Sequence, residues 1–282
     1  MVIERVGVCG SGTMGSGIVQ VAAQAGYETV LRSRTAASAD ASLASLGKRL
    51  DKLVSKEKIT GDERDAVLGR VSVTNDLDAL SDCDLVIESV VEDLSIKRAF
   101  FDDLDQVCKP HAILATNTST LPVVEIAMST GRPSQVCGVH FFNPAHAMSL
   151  VEVVRPLTAS DETMSAVMEF ATRCGKEPVE VKDEAGFVVN ALLFPYLNSA
   201  VTMLERGTAS MEDIDAAMQG GANFPMGPFA LLDLVGLDVS LAILDALHAE
   251  FGRPGDVAAP TLRRLVAAGR LGRKTGEGFY TY

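Results

Sequence analysis

The chain has 282 residues, 47% of them hydrophobic, enough for a sizeable core in one or two domains. Its formal net charge of −12 argues against nucleic acid or an anionic membrane as partner, so phosphate groups must be met by local cations and backbone amides. No apolar run reaches the roughly 18 residues of a membrane span, a strand starting at Val2 leaves no room for a signal peptide, and five scattered cysteines without a C-x-x-C pair predict a reducing cytoplasm and no metal.

The first predicted strand, Val6-Gly7-Val8-Cys9, runs into Gly10-Ser11-Gly12-Thr13-Met14-Gly15, and a helical pattern follows from Ile18. Strand, glycine turn and helix in that order are the setting in which G-x-G-x-x-G means dinucleotide binding. Gly10 allows the tight turn, Gly12 the close approach of a pyrophosphate, and Gly15 the packing of helix on strand. A second strand ends at Arg32-Ser33-Arg34, where such folds usually carry an acidic residue for the adenosine ribose. A hydroxyl beside a guanidinium suits a 2′-phosphate, so the reading is NADP or dual use, with NAD binding beside solvated arginines as the alternative.

Residues 36–59 read as one long helix, with Lys52 and Lys56 four apart on one face. An anionic ligand such as the phosphates of coenzyme A suits that face, and a solvated charged surface suits it equally. Strands at 71–74 and 84–88, a helix at 94–107 and a strand at 112–116 follow, the last ending in Asn117-Thr118-Ser119. Further strands lie at 136–144, carrying His140 and stopping at a polar loop by Asn143-Pro144, at 150–154, and at 179–181 after a helix at 162–174. The alternation predicts a Rossmann-type, doubly wound parallel sheet in residues 1–183, with ligands at the C-terminal ends of the strands. Residues 184–282 read as an all-helical domain. Its first helix is apolar on several sides (Phe187, Leu192, Phe194), which suits a subunit interface or burial within the chain.

Chemistry beside a nicotinamide needs a base. His140 ends an apolar strand beside a ligand loop, Glu152 follows in the next strand, and Ser119 ends a neighbouring one. A carboxylate would fix the imidazole's tautomer and hold its protonated form, although a hydrogen-bonded core histidine fits the spacing as well.

The chain resembles the L-3-hydroxyacyl-CoA dehydrogenases, specifically the short bacterial 3-hydroxybutyryl-CoA type. The segments that carry the resemblance run from the glycine turn through Val91-Glu92, Asn117-Thr-Ser119, Gly138-Val-His140-Phe-Phe-Asn-Pro144, Leu150-Val-Glu152, Asp183 to Asn190, Pro225 to Pro228, and Gly272-Arg-Lys274 to Tyr280. They cover essentially the whole chain in order. The resemblance implies a catalytic His140–Glu152 pair, with Ser119 and Asn190 binding the substrate's 3-oxygen or thioester carbonyl and the site closing at the domain boundary. It places Glu92, Lys97, Asn117, Asn143 and Lys274 around the nicotinamide and its ribose, and Lys52 and Lys56 against coenzyme A. It also implies a homodimer through the helical domain.

Two departures from the family pattern stand out. Ser33 and Arg34 replace the usual acidic ribose ligand and its neighbour. Ala145-His146-Ala147 replaces a Val-Pro-Val-like segment, which puts a titratable group near the site; an exposed loop histidine is the expectation there. Alternatives to an acyl-CoA dehydrogenase are an oxidoreductase acting on acyl carrier protein, and a non-catalytic nucleotide-binding protein. The latter is at odds with the presence of Ser119, His140, Glu152 and Asn190.

Overall fold

The structure, a computed structural model, describes residues 2–282 in two units, the first ending at Asp183 and the second running from Glu184 to Tyr282. The first unit alternates strands and helices: β1 (Arg5–Cys9), α1 (Thr13–Gln24), β2 (Glu28–Arg32), α2 (Ala36–Val54), α3 (Gly61–Gly69), β3 (Val71–Thr74), β4 (Leu85–Glu88), α4 (Leu94–Val107), β5 (Ile113–Thr116), α5 (Val123–Ala127), β6 (Val136–Phe141), β7 (Leu150–Arg155), α6 (Asp161–Arg173) and β8 (Glu177–Lys182). They form one sheet in the order β3-β2-β1-β4-β5-β6-β7-β8, so the winding reverses between β1 and β4.

Strand periodicity sorts the side chains onto two buried faces. Val8, Ile87, Ala115 and Val139 point to a core shared with Ile18 of α1, Leu50 of α2 and Phe170 of α6. Cys9, Val86, Leu114 and Val136 point the other way, towards Phe101 and Leu104 of α4 and Ile126 of α5. Burial on both sides is why these strands read as near-continuous apolar runs.

Two sequence expectations need correction. The sheet is not parallel throughout: β6 and β7 pair antiparallel, and β8 pairs parallel with β7. Only a short loop without a helix joins β6 to β7, and a parallel neighbour would need a crossover of a dozen residues or more. The long helix is also shorter than its pattern suggested. α2 ends at Val54, and Glu57 adopts a left-handed conformation with φ 55°. Lys56 therefore lies beyond the helix and does not share a helical face with Lys52.

The second unit is helical: α7 (Val189–Glu205), α8 (Met211–Ala222), α9 (Pro228–Val235), α10 (Leu237–Phe251) and α11 (Pro260–Ala267). Leu197, Val201, Phe229, Leu244 and Leu262 build its core. Two buried aspartates tie its segments together. Asp215 accepts the amides of Phe229 (2.8 Å) and Ala230 (3.1 Å) at the start of α9. Asp233 accepts those of Phe279 (2.9 Å) and Tyr280 (2.8 Å) and the Tyr282 hydroxyl (3.1 Å), fastening the C-terminal segment. A side chain at Gly278 would lie 2.0 Å from an Asp233 oxygen, which is why glycine stands there. Among the described residues no helix is long and apolar enough to cross a membrane.

Because Asp233→Ala strands two amides, it is expected to cost about 3 kcal/mol in thermal or urea unfolding. A loss below about 0.5 kcal/mol would mean that the C-terminal segment is held by its apolar contacts instead.

Candidate active site

The glycine turn lies at the C-terminal end of β1, where the sheet order reverses and a crevice for ligands opens. Gly10 has φ 121°, and a Cβ there would sit 2.2 Å from the Ser89 carbonyl oxygen; one at Gly15 would sit 1.9 Å from the carbonyl oxygen of Gly10. Gly12 has nothing within 4 Å of a Cβ position. Gly12 also begins α1 without a side-chain cap, and the first turn carries no acid. With Ser11 and Thr13 beside it and Met14 packed on the core, the turn leaves amides and the positive helix end free for a phosphate. These residues fit a dinucleotide.

At the end of β2 the adenosine side holds hydroxyls where a carboxylate is usual. Ser33 is buried, and its Oγ lies 2.7 Å from that of Ser11 and 2.6 Å from that of Ser38. Arg34 is exposed beside them.

The opposite end of the crevice is built on the sheet face covered by α4 and α5. His140 on β6 stands directly across from Glu152 on β7, because antiparallel partners in register project to the same side. The His140 Nδ1 to Glu152 Oε2 distance is 2.7 Å, and both side chains are buried. An ionised Glu152 requires the proton on Nδ1, which leaves Nε2 as the basic nitrogen. The Phe142 ring packs 4.5 Å from the imidazole.

One strand over, Thr116 of β5 pairs with Gly138 of β6, so the Asn117–Ser119 segment emerges beside the end of the histidine strand. Asn117 Oδ1 accepts the Phe141 amide at 2.9 Å and locks the two strand ends together. The Ser119 amide (2.9 Å) and hydroxyl (3.3 Å) both donate to Glu92 Oε1, as does the Thr118 hydroxyl at 2.6 Å. Burial by itself would raise the Glu92 carboxyl, but the Lys97 ammonium and these donors outweigh it and hold it below the usual range.

Lys97, fully buried on α4, donates to both oxygens of Glu88 (2.8 and 3.0 Å) and lies 3.2 Å from Glu92. Glu88 is equally buried at the end of β4 and also accepts the Thr116 hydroxyl (2.8 Å) and the Val90 amide (2.6 Å). Sequence reasoning assigned Glu88 no role. The available signal was a charge closing an otherwise apolar strand, Leu85-Val86-Ile87, with a lysine nine residues on.

The structure thus brings together His140 with Glu152, Asn117 with β6, and Ser119 with Glu92 and Lys97. The other expected residues stand apart from these contacts. Asn143 is exposed in the loop after β6, Lys52 is exposed on α2, and Lys56 is exposed beyond it. Asn190 is buried in the first turn of α7, and Lys274 pairs with Asp238 at 2.7 Å, both within the helical unit.

Residues 5–184 match the 3-hydroxyacyl-CoA dehydrogenase NAD binding domain, and residues 186–282 match that family's C-terminal domain. A 3-hydroxybutyryl-CoA dehydrogenase of Clostridioides difficile is 50% identical over 99% of both chains, and the human mitochondrial hydroxyacyl-coenzyme A dehydrogenase is 42% identical over 100% of this chain and 92% of its own. Among solved structures, FadB2 of Mycobacterium tuberculosis superposes with a TM-score of 0.97 at 47% identity, covering 100% of both chains. The (S)-3-hydroxybutyryl-CoA dehydrogenase of Ralstonia eutropha gives the same score at 40% identity, over 100% of this chain and 99% of its own. A glycine crevice that accepts a dinucleotide and a carboxylate-held histidine across the same sheet are what a hydroxyl-oxidising enzyme requires, and this chain is a member of the 3-hydroxyacyl-CoA dehydrogenase family.

Proposed function

We propose that the protein is a 3-hydroxybutyryl-CoA dehydrogenase, catalysing reversible hydride transfer between a nicotinamide cofactor and a 3-hydroxyacyl or 3-ketoacyl thioester, in fatty-acid or polyester and butyrate metabolism of a reducing cytoplasm. The observation that carries this reading is the His140–Glu152 pair, 2.7 Å apart, at the ligand-binding end of the sheet. The nicotinamide ring, when bound, takes up or returns the hydride. In the oxidative direction His140 Nε2 takes the proton of the 3-hydroxyl, and Glu152 holds the resulting imidazolium in place. Ser119, fixed by Glu92, offers its hydroxyl to the substrate's 3-oxygen. The Lys97–Glu92–Glu88 cluster keeps that segment and the ribose-facing carboxylate from shifting. Asn190 and Lys274 join this reading through the family motifs, as ligands of substrate and cofactor, and Lys52 and Lys56 through the same route as contacts to coenzyme A.

Removing the base should cost two to four orders of magnitude in turnover. His140→Ala is therefore expected to lower kcat for acetoacetyl-CoA reduction by about a thousandfold while leaving dinucleotide affinity near that of wild type. Glu152→Gln, which no longer holds a charged imidazole, should lose about a hundredfold or more. Turnover by His140→Ala within about threefold of wild type would remove this mechanism.

The hydroxyls around Ser33 and the exposed Arg34 support NADP as the cofactor, with NAD as an alternative substrate. Acetoacetyl-CoA reduction is expected to show kcat/KM with NADPH at least equal to that with NADH, and Arg34→Ala should lower the NADPH value by about tenfold. A much higher value with NADH, together with an indifferent Arg34→Ala, refutes the preference.

We further propose a homodimer through the helical unit. Val188, Leu192 and Met203 of the first helix and its entry are exposed, Leu192 by 72%, and a partner's apolar face would cover them. Sedimentation should give twice the chain mass for wild type and the single-chain mass for Leu192→Lys; a wild-type monomer at micromolar concentration would contradict the proposal.

A further inference from the structure

Glu88 is a fully buried acid that takes no part in proton or hydride transfer. Its hydrogen bonds all come from donors: the Lys97 ammonium at 2.8 and 3.0 Å, the Thr116 hydroxyl at 2.8 Å and the Val90 amide at 2.6 Å. Each oxygen accepts two of these bonds, so neither has room for a proton of its own. Glu92 is likewise met by donors, from Thr118, Ser119 and Lys97. Two carboxylates against one ammonium leave one net negative charge. Lys97 stands closer to Glu88 than to Glu92 (2.8 against 3.2 Å), so Glu88 takes most of its charge. The surplus resides on Glu92, whose side chain keeps 38% of its surface exposed.

Placement decides what feels that surplus. The Ser89 amide donates to the Cys9 carbonyl at 2.8 Å, which ties the end of β4 to the entry of the glycine turn. The Asn117 amide donates to the Glu88 carbonyl at 2.7 Å and ties it to β5. A dinucleotide in such a fold lies across the reversal of strand order, its adenosine half over β2 and its other half on the β4 side. The next cation in the row of Glu88 and Cys9 is Arg32, at the end of β2 and two strands away. It lies on the adenosine side, its guanidinium 5.5 Å from the Phe100 ring centre. Asp93 occupies the positive end of α4 by accepting the Ile96 amide at 3.0 Å, so the helix dipole does not cancel Glu92.

We propose that Glu92 and Glu88 bias the crevice towards the oxidised form of its cofactor. The oxidised nicotinamide ring is a cation and the reduced ring is neutral, while both forms carry the same phosphates and adenosine. A surplus negative charge on the β4 side therefore favours the oxidised form, with Glu92 as its source. Glu88 is a positioning residue: by taking up the lysine's charge it leaves that of Glu92 uncancelled. The inference rests on the nicotinamide part of the reading above and is independent of the acyl group.

The test is the ratio of dissociation constants, reduced over oxidised, measured by titration calorimetry for NADPH and NADP+ and for NADH and NAD+. The proteins compared are wild type, Glu92→Gln, Glu92→Asp and Glu88→Gln. The ratio cancels the 2′-phosphate and any loosening of the site that weakens both forms alike. Glu92→Gln removes the surplus charge and should lower the ratio by about tenfold, about 30 mV in the bound two-electron couple. Glu88→Gln turns the lysine's charge onto Glu92 and should lower it by a similar factor, whereas Glu92→Asp should stay within about twofold of wild type. Glu92 is partly exposed, so its variants read the charge even where Glu88→Gln loses the fold. Glutamine variants that weaken both forms equally overturn the proposal, and so does a Glu92→Asp ratio as low as that of Glu92→Gln. A wild type that binds neither dinucleotide overturns it as well. Failure of wild type to reduce acetoacetyl-CoA counts against the acyl-CoA reading alone, because the titrations need no acyl substrate.

Discussion

Lys97 is wholly removed from water, and the order of the catalytic side depends on that. An ammonium in such a place is tolerable only if it is paired and its protons are used. Glu88 supplies two acceptor contacts from the end of β4, and Glu92 supplies the second carboxylate. Through Glu88 the lysine fastens α4 to the central strand and to Thr116; through Glu92 it reaches the Ser119 backbone and hydroxyl. One buried charge thus sets the positions of two strand ends, a helix start and the loop that would meet the substrate's oxygen. Removing Lys97 would leave two carboxylates around one place with no cation between them.

The sheet divides labour between its faces. Side chains of even register at the strand ends, Glu88, Thr116, His140 and Glu152, all project towards α4 and α5 and form the paired, hydrogen-bonded polar groups of that side. The opposite face, under α1 and α2, carries a hydroxyl-lined cleft with Arg49 and His146. The glycine turn lies between them at the reversal of the strand order, where backbone amides rather than cations meet a phosphate. An acidic protein can handle anionic ligands in this way because each cation acts over a short range and the net charge is screened beyond it.

Much of this arrangement was legible in the linear chain. The spacing of Gly10, Gly12 and Gly15 after an apolar strand identifies a dinucleotide crevice because each position has a steric requirement, and the structure shows those requirements at Gly10 and Gly15. His140 stood out as a polar residue near the end of an apolar strand, and Glu152 as a carboxylate within the next one. The reversal of β7 was not legible, because period-two alternation carries no direction. The end of α2 at Val54 was missed because Ser55 to Lys58 continue a polar pattern that either a helix or a turn accepts. Asp215 and Asp233 escaped notice for a related reason: a buried acceptor of backbone amides looks, in sequence, like any acid on a helix surface.

What the sequence by itself determined is the set of local requirements: glycines where a Cβ cannot fit, apolar alternation where both sheet faces are covered, and a hydroxyl and arginine where an acid is usual. These depend on neighbours along the chain, and local sterics and solvation are enough to read them. Only the tertiary structure decided that β7 turns back to set Glu152 opposite His140. It alone revealed that Lys97 is shared by two carboxylates, and that Arg49 meets His146 across a cleft free of acids. Those are encounters between residues far apart in sequence, fixed by register and by the cost of burying charge, and no local pattern encodes them.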